Sequence, residues 1–168
     1  MPTDLTPVIA ASARWLLAAY PPPTGALNAA LAAAQARQAA ELAAQLRYPT
    51  AVDVELLHLL GPGGSDGLDL LTGHDSGAED SAWRTWVDET VVSWAACLLA
   101  DPALAARAHQ QSAGRSDTRP DGLRRLTHPG AHESEAAVLL RHPDLLESVA
   151  ARHRSALAEL LGTATAPA

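Results

Sequence analysis

The chain contains no lysine and no phenylalanine, and it has only one cysteine, one methionine, one isoleucine and one asparagine. Without lysine there is no lysine Schiff base and no lysine-bound phosphate. The scarce residues have AT-rich codons, which points to a high-GC bacterial genome. With Cys97 alone, no intramolecular disulfide and no cysteine-based zinc cluster can form. No apolar run reaches the roughly 20 residues of a membrane span, and the N-terminus lacks the basic flank of a secretory signal. The expectation is a cytoplasmic protein that does not engage a membrane.

Alanine supplies much of the 48% apolar content. It favours helices strongly and adds little hydrophobic area. At 168 residues with 18% charged side chains, the chain is long enough for one globular domain with a real core. Net charge is −7, which argues against nonspecific nucleic-acid binding. The charge is uneven. Residues 1–101 carry four Arg against twelve Asp/Glu, and residues 102–168 carry eight Arg against seven. An acidic half and a weakly basic half follow, suited to different partners.

Helical periodicity dominates, and no stretch alternates as a strand. "TPVIAASARWLLAAY" opens with Thr6 as N-cap and Pro7 in the first turn, and places Val8, Ser12, Trp15 and Ala19 on one stripe. In "TGALNAALAAAQARQAAELAAQLRY", Leu27, Leu31, Leu42 and Leu46 fall on the inner side. Thr50 caps "TAVDVELLHLL". Residues 61–80 read as a Gly-rich flexible loop without "GK[ST]" and flanked by aspartates, so it does not suit a phosphate.

"DSAWRTWVDETVVSWAACLLA" reads as one helix, with Trp83 and Trp94 on its inner face, Trp86 beside them, and Arg84, Asp88 and Glu89 outward. Asp101 caps the next helix. A shorter helix follows at about 116–126, and helices at about 132–141 and 143–161 finish the domain. The prediction is an all-α, single-domain bundle of about seven or eight helices over residues 1–161, with 162–168 a frayed tail.

The candidate chemistry lies mainly in "RLTHPGAHESEAAVLLRHPDLLESVAARHR", residues 125–154, which holds four of seven histidines. If the last two helices form a hairpin bent at His142, His132 and His153 both lie about 15 Å from the bend and can face one another. His128 can swing in from its turn, and Glu133 can ligate or orient an imidazole. Three nitrogens without a thiolate suit zinc, iron or copper with an open coordination position. Against this, the spacing matches no established metal motif, and each histidine has an ordinary structural explanation.

His58 is either a core histidine or a pocket base. The segment "LLHLLG" (56–61) resembles DinB-type helical metal-binding bundles over those six residues, and no role is carried over from it. His74 and Asp75 form a weaker base–carboxylate pair, and Cys97 sits in an apolar setting that leaves a thiol inert.

Two functions remain open. One is a non-catalytic binding or adaptor protein that docks a protein partner on its acidic half. The other is a small enzyme of specialised metabolism, with an apolar small molecule bound between Trp83, Trp86 and Trp94 and a histidine-held metal or His58 as base. An alanine-rich bundle with a spare apolar face can also form a homodimer.

Overall fold

The computed structural model describes residues 4–73, 82–113 and 120–162, and all regular structure among them is helical. The order is α1 (Thr6–Ala19), α2 (Ala26–Arg47), α3 (Ala51–Leu60), α4 (Ser65–Thr72), a 3-10 turn (Ala82–Trp86), α5 (Glu89–Ala100), α6 (Pro102–Ala113), a 3-10 turn (Pro120–Leu123), α7 (Arg124–Thr127), α8 (Ala131–Ala136), α9 (Pro143–Ala150) and α10 (Arg154–Leu160). The all-α bundle expected from periodicity is the fold. No described helix is long and apolar enough to cross a membrane.

At the centre α2 packs against both α1 and α5, and α5 packs against α9. The contact side of α2 is mostly alanine: Ala32, Ala36, Ala39, Ala40, Ala43 and Ala44 are fully buried, with Leu42 between them. Small side chains at a helix contact bring the axes close, because ridges and grooves there are shallow. Trp15, Leu16, Leu98 and Leu99 fill the remaining width. Leu27 is 69% exposed, not inward as expected, because the first turn of α2 is left largely uncovered.

Local chemistry sets the helix ends. Thr50 and Asp53 form a reciprocal capping box on α3. Asp101 accepts from the amides of Ala103 and Leu104 and so starts α6. The N-cap of α1 is Leu5, one residue before the expected Thr6.

Three expectations are corrected. First, residues 61–80 are not a loop throughout: α4 forms within them and buries Leu68 and Ser65. Residues 74–80, with His74 and Asp75, lie outside the described residues, as does the tail from 163.

Second, the tryptophan helix is interrupted. Trp83 and Trp86 lie on the 3-10 turn, and α5 starts only after Asp88. The Asp88 carboxylate accepts from the amides of Thr90 (2.8 Å) and Val91 (3.2 Å), so the residue expected to face solvent is a buried N-cap. Arg84 also turns inward, onto Asp69, which accepts from Trp15 Nε1 as well.

Third, the last helix is broken between Ala150 and Arg154. Ser93 Oγ donates to the Ala150 carbonyl (3.1 Å) and accepts from the His153 amide (3.1 Å). In an unbroken helix both groups would bond within the helix. Trp94 Nε1 then holds the His153 carbonyl at 2.9 Å. Register shifts at the break, so Leu157 is buried and Ala156 is exposed, whereas a straight helix would carry the face of Leu146, Val149 and His153 on through Ala156.

Candidate docking surface and cleft

Helix α3 carries two apolar faces. Val54 and Leu57 are buried. Val52, Leu56, Leu59 and Leu60 are 64%, 47%, 79% and 78% exposed. At 3.6 residues per turn these four fall within an arc of about 100°. Asp53 lies just beyond one edge of that arc and Glu55 just beyond the other. The exposed arc is therefore an apolar stripe between two carboxylates.

The stretch of sequence that carries it is acidic, and Arg47, on the wall of a cleft beside it, is the cation that adjoins it. Between Arg47 and Arg84 the sequence holds seven carboxylates and no lysine or arginine. Outside that stretch the twelve Arg are matched by twelve Asp/Glu, so the whole net charge of −7 resides there. Glu55 and Asp66 are exposed and enter no ion pair among the described residues.

Beside the stripe opens a cleft of about 490 Å³. Leu56, Leu57 and Leu60 form its apolar wall, the Gly61–Gly64 turn its lip, and Tyr48, Asp88 and Glu89 its polar floor. Gly64 has φ +126°, and a Cβ there would lie 3.3 Å from Glu89 Cβ, so both backbone and space favour glycine. The floor is already paired. Tyr48 donates its hydroxyl to Asp88. Burial first, and then the Asp88 contact, push the Tyr48 hydroxyl well above the usual tyrosine range. Glu89 accepts from Arg152 (2.7 Å) and contacts His153 Nε2 (2.9 Å). Arg47, on the wall, stands over the Tyr48 ring, 5.6 Å from its centre.

The expected site residues are placed as follows. His128 is exposed and pairs its Nδ1 with Thr127 Oγ1. His132 is almost fully exposed, its Nδ1 3.8 Å from Glu135. His153 sits at the helix break, facing Glu89. Glu133 turns back to the Gly130 amide and meets Arg124 and Arg125. Among the described residues no three His, Cys, Asp or Glu side chains converge on a common point, so His128, His132, His153 and Glu133 are not brought together. The expected hairpin needed two straight helices. Instead α8 ends at Ala136, and the last helix breaks before His153.

His58 is exposed, with Nε2 3.1 Å from the Asp4 carbonyl oxygen and its ring edge-on to Trp86. It is neither a core residue nor part of the cleft wall. Trp83 and Trp86 pack half-buried against the core, and Trp94 is buried against the His153 carbonyl. None of the three lines the cleft or a second cavity of about 350 Å³ between Leu5, Gln45, Tyr48 and Ser112. Cys97 is buried, as its apolar setting implied, and burial raises its thiol pKa.

Sequence reasoning missed the α3 stripe. Its signal is visible afterwards: "AVDVELLHLL" holds more large apolar residues than one buried face can take. In comparison with known proteins, the chain matches no family model, no curated protein and no solved structure.

Proposed function

We propose that this protein is a small helical binding module, an adaptor that docks a protein partner on its acidic N-terminal half through the exposed face of α3. One observation carries the reading: Val52, Leu56, Leu59 and Leu60 form an unburied apolar stripe between Asp53 and Glu55. Covering such a stripe removes apolar area from water at about 25 cal/mol per Å². Contiguous exposed apolar patches on soluble proteins commonly mark interaction sites. The alternative of a small enzyme draws less support, because Trp83, Trp86 and Trp94 share no wall of either cavity.

The test is capture from lysate on the immobilised chain, beside a Leu59→Ser/Leu60→Ser variant. Both residues are surface positions, so the variant keeps its stability to within about 0.5 kcal/mol. A partner held by the wild type and lost by the variant is the expected result. Partners retained equally by both would place binding elsewhere and sink the reading.

A further inference from the structure

We infer that the α3 face takes a cationic amphipathic helix of a partner protein, with one large apolar side chain of that helix seated in the cleft between Leu56, Leu60 and the Gly61–Gly64 turn. The inference rests on the reading of α3 as the docking face and specifies what docks there.

Shape is the first argument. From Val52 to Leu60 the stripe is about 12 Å long, two turns of helix. A partner helix with apolar side chains at i, i+3 or i+4, and i+7 presents a stripe of the same length and width.

Charge is the second. Asp53 and Glu55 flank the stripe on opposite sides, and Asp66 follows on α4. Lysine or arginine beside the apolar stripe of the partner helix meets a carboxylate on either edge. A second copy of this chain does not fit as well. A two-fold dimer would set the same patch against itself and bring Asp53 and Glu55 onto like charges.

The cleft is the third. It adjoins the stripe because Leu56 and Leu60 belong to both. Of its carboxylates, Asp88 is held by Tyr48 and two backbone amides, Glu89 by Arg152 and His153, and Asp53, at the rim, by the Thr50 amide and hydroxyl through Oδ2 alone. That leaves Leu56, Leu57 and Leu60 to receive an apolar anchor, while the charge recognition stays at the rim. Interfaces draw most of their affinity from such seated anchors, with aromatic residues prominent among them.

The probe is a synthetic helix of about five turns built from leucine and lysine at helical spacing, with one central tryptophan and a terminal fluorophore. Its binding to the full chain is read by anisotropy. Affinity should fall at least about tenfold when Leu59 and Leu60 are both changed to serine, and about tenfold when the peptide tryptophan becomes alanine. It should also fall about twofold or more in the Glu55→Gln variant, and several-fold on raising salt from about 0.05 M to about 0.5 M. A counterpart with glutamate in place of lysine should not bind.

Equal binding of the glutamate peptide, or indifference to the leucine pair, overturns the inference. If lysate capture depends on Leu59 and Leu60 but the lysine peptide does not bind, α3 docks a partner of other chemistry: the inference fails and the docking reading survives. If neither depends on the pair, both fail. Self-association in sedimentation that the leucine pair abolishes would assign the face to a second copy and overturn the inference.

Discussion

Tyr48, at the C-terminal end of α2, donates its hydroxyl to Asp88, and the same carboxylate caps α5. One side chain thus joins the start of α5 to the end of α2. Asp88→Ala removes a cap worth about 1 kcal/mol and also the hydrogen bond from the half-buried Tyr48 hydroxyl, worth about 1 kcal/mol. Tyr48→Phe should cost about 1 kcal/mol, since the cap survives. Urea denaturation of the two variants should therefore show Asp88→Ala as clearly the more damaging. Equal losses would mean that the cap contributes nothing.

A second buried polar link ties α2 to the C-terminal region. Gln35 is fully buried; its Oε1 accepts from Arg141 Nε at 2.6 Å, and its Nε2 donates to the Glu133 carbonyl at 2.6 Å. Arg141 also donates to the carbonyls of Leu99 and Arg125. Arg141→Leu strands Gln35 Oε1 and the Leu99 carbonyl and should destabilise by about 2–4 kcal/mol. Gln35→Leu should cost somewhat less. The double variant should fall short of the sum by about 1 kcal/mol or more, because the two side chains share one bond. Strict additivity in denaturant melts would refute that coupling.

Acid should weaken the fold partly through Glu133. The Gly130 amide first, and then Arg124, Arg125 and Arg141, hold its carboxyl below the usual range of about 4.5. A carboxylate whose folded pKa is depressed stabilises the fold above its unfolded pKa. That contribution is lost as pH falls through the folded value. The stability gap between wild type and Glu133→Gln should be constant near neutrality and close progressively below about pH 4.5. Melting temperatures at a series of pH values would show it. A gap unchanged down to about pH 2 would contradict the assignment.

Cys97 lies against α9, its Sγ 3.5 Å from the Ala150 carbonyl, and burial raises its thiol pKa. A chromogenic disulfide at about pH 8 should therefore label the folded chain at least about a hundred times more slowly than the chain in denaturant. Rapid labelling of the folded protein would show that α9 opens readily from α5.

The sequence announced the helices where local signals were strong. Thr50, Asp101 and Pro143 marked true helix starts, and the stripe through Val8, Ser12 and Trp15 is buried as its spacing required. It failed where a tertiary contact overrode periodicity. Nothing near His153 in sequence reveals that Ser93, sixty residues away, takes its amide and breaks the helix. The proposed histidine cluster depended on that helix being straight. Asp88 was legible as an N-cap in principle, but the apolar spacing from Trp83 to Leu98 masked it. The α3 stripe escaped for a related reason: periodicity finds apolar faces without telling which of two is left uncovered.

The alanines along α2 have a consequence for how this chain can vary. Most cores fail by deletion, when a large side chain shrinks and leaves a void. Here Ala32, Ala36, Ala39, Ala40, Ala43 and Ala44 have almost nothing left to lose. Their hazard is growth: an added methylene in a fully buried contact must push a neighbouring helix outward. The tolerance of this centre is one-sided. A saturation library should find glycine at these six positions costing about the 1 kcal/mol of lost helix propensity, and valine or leucine costing more.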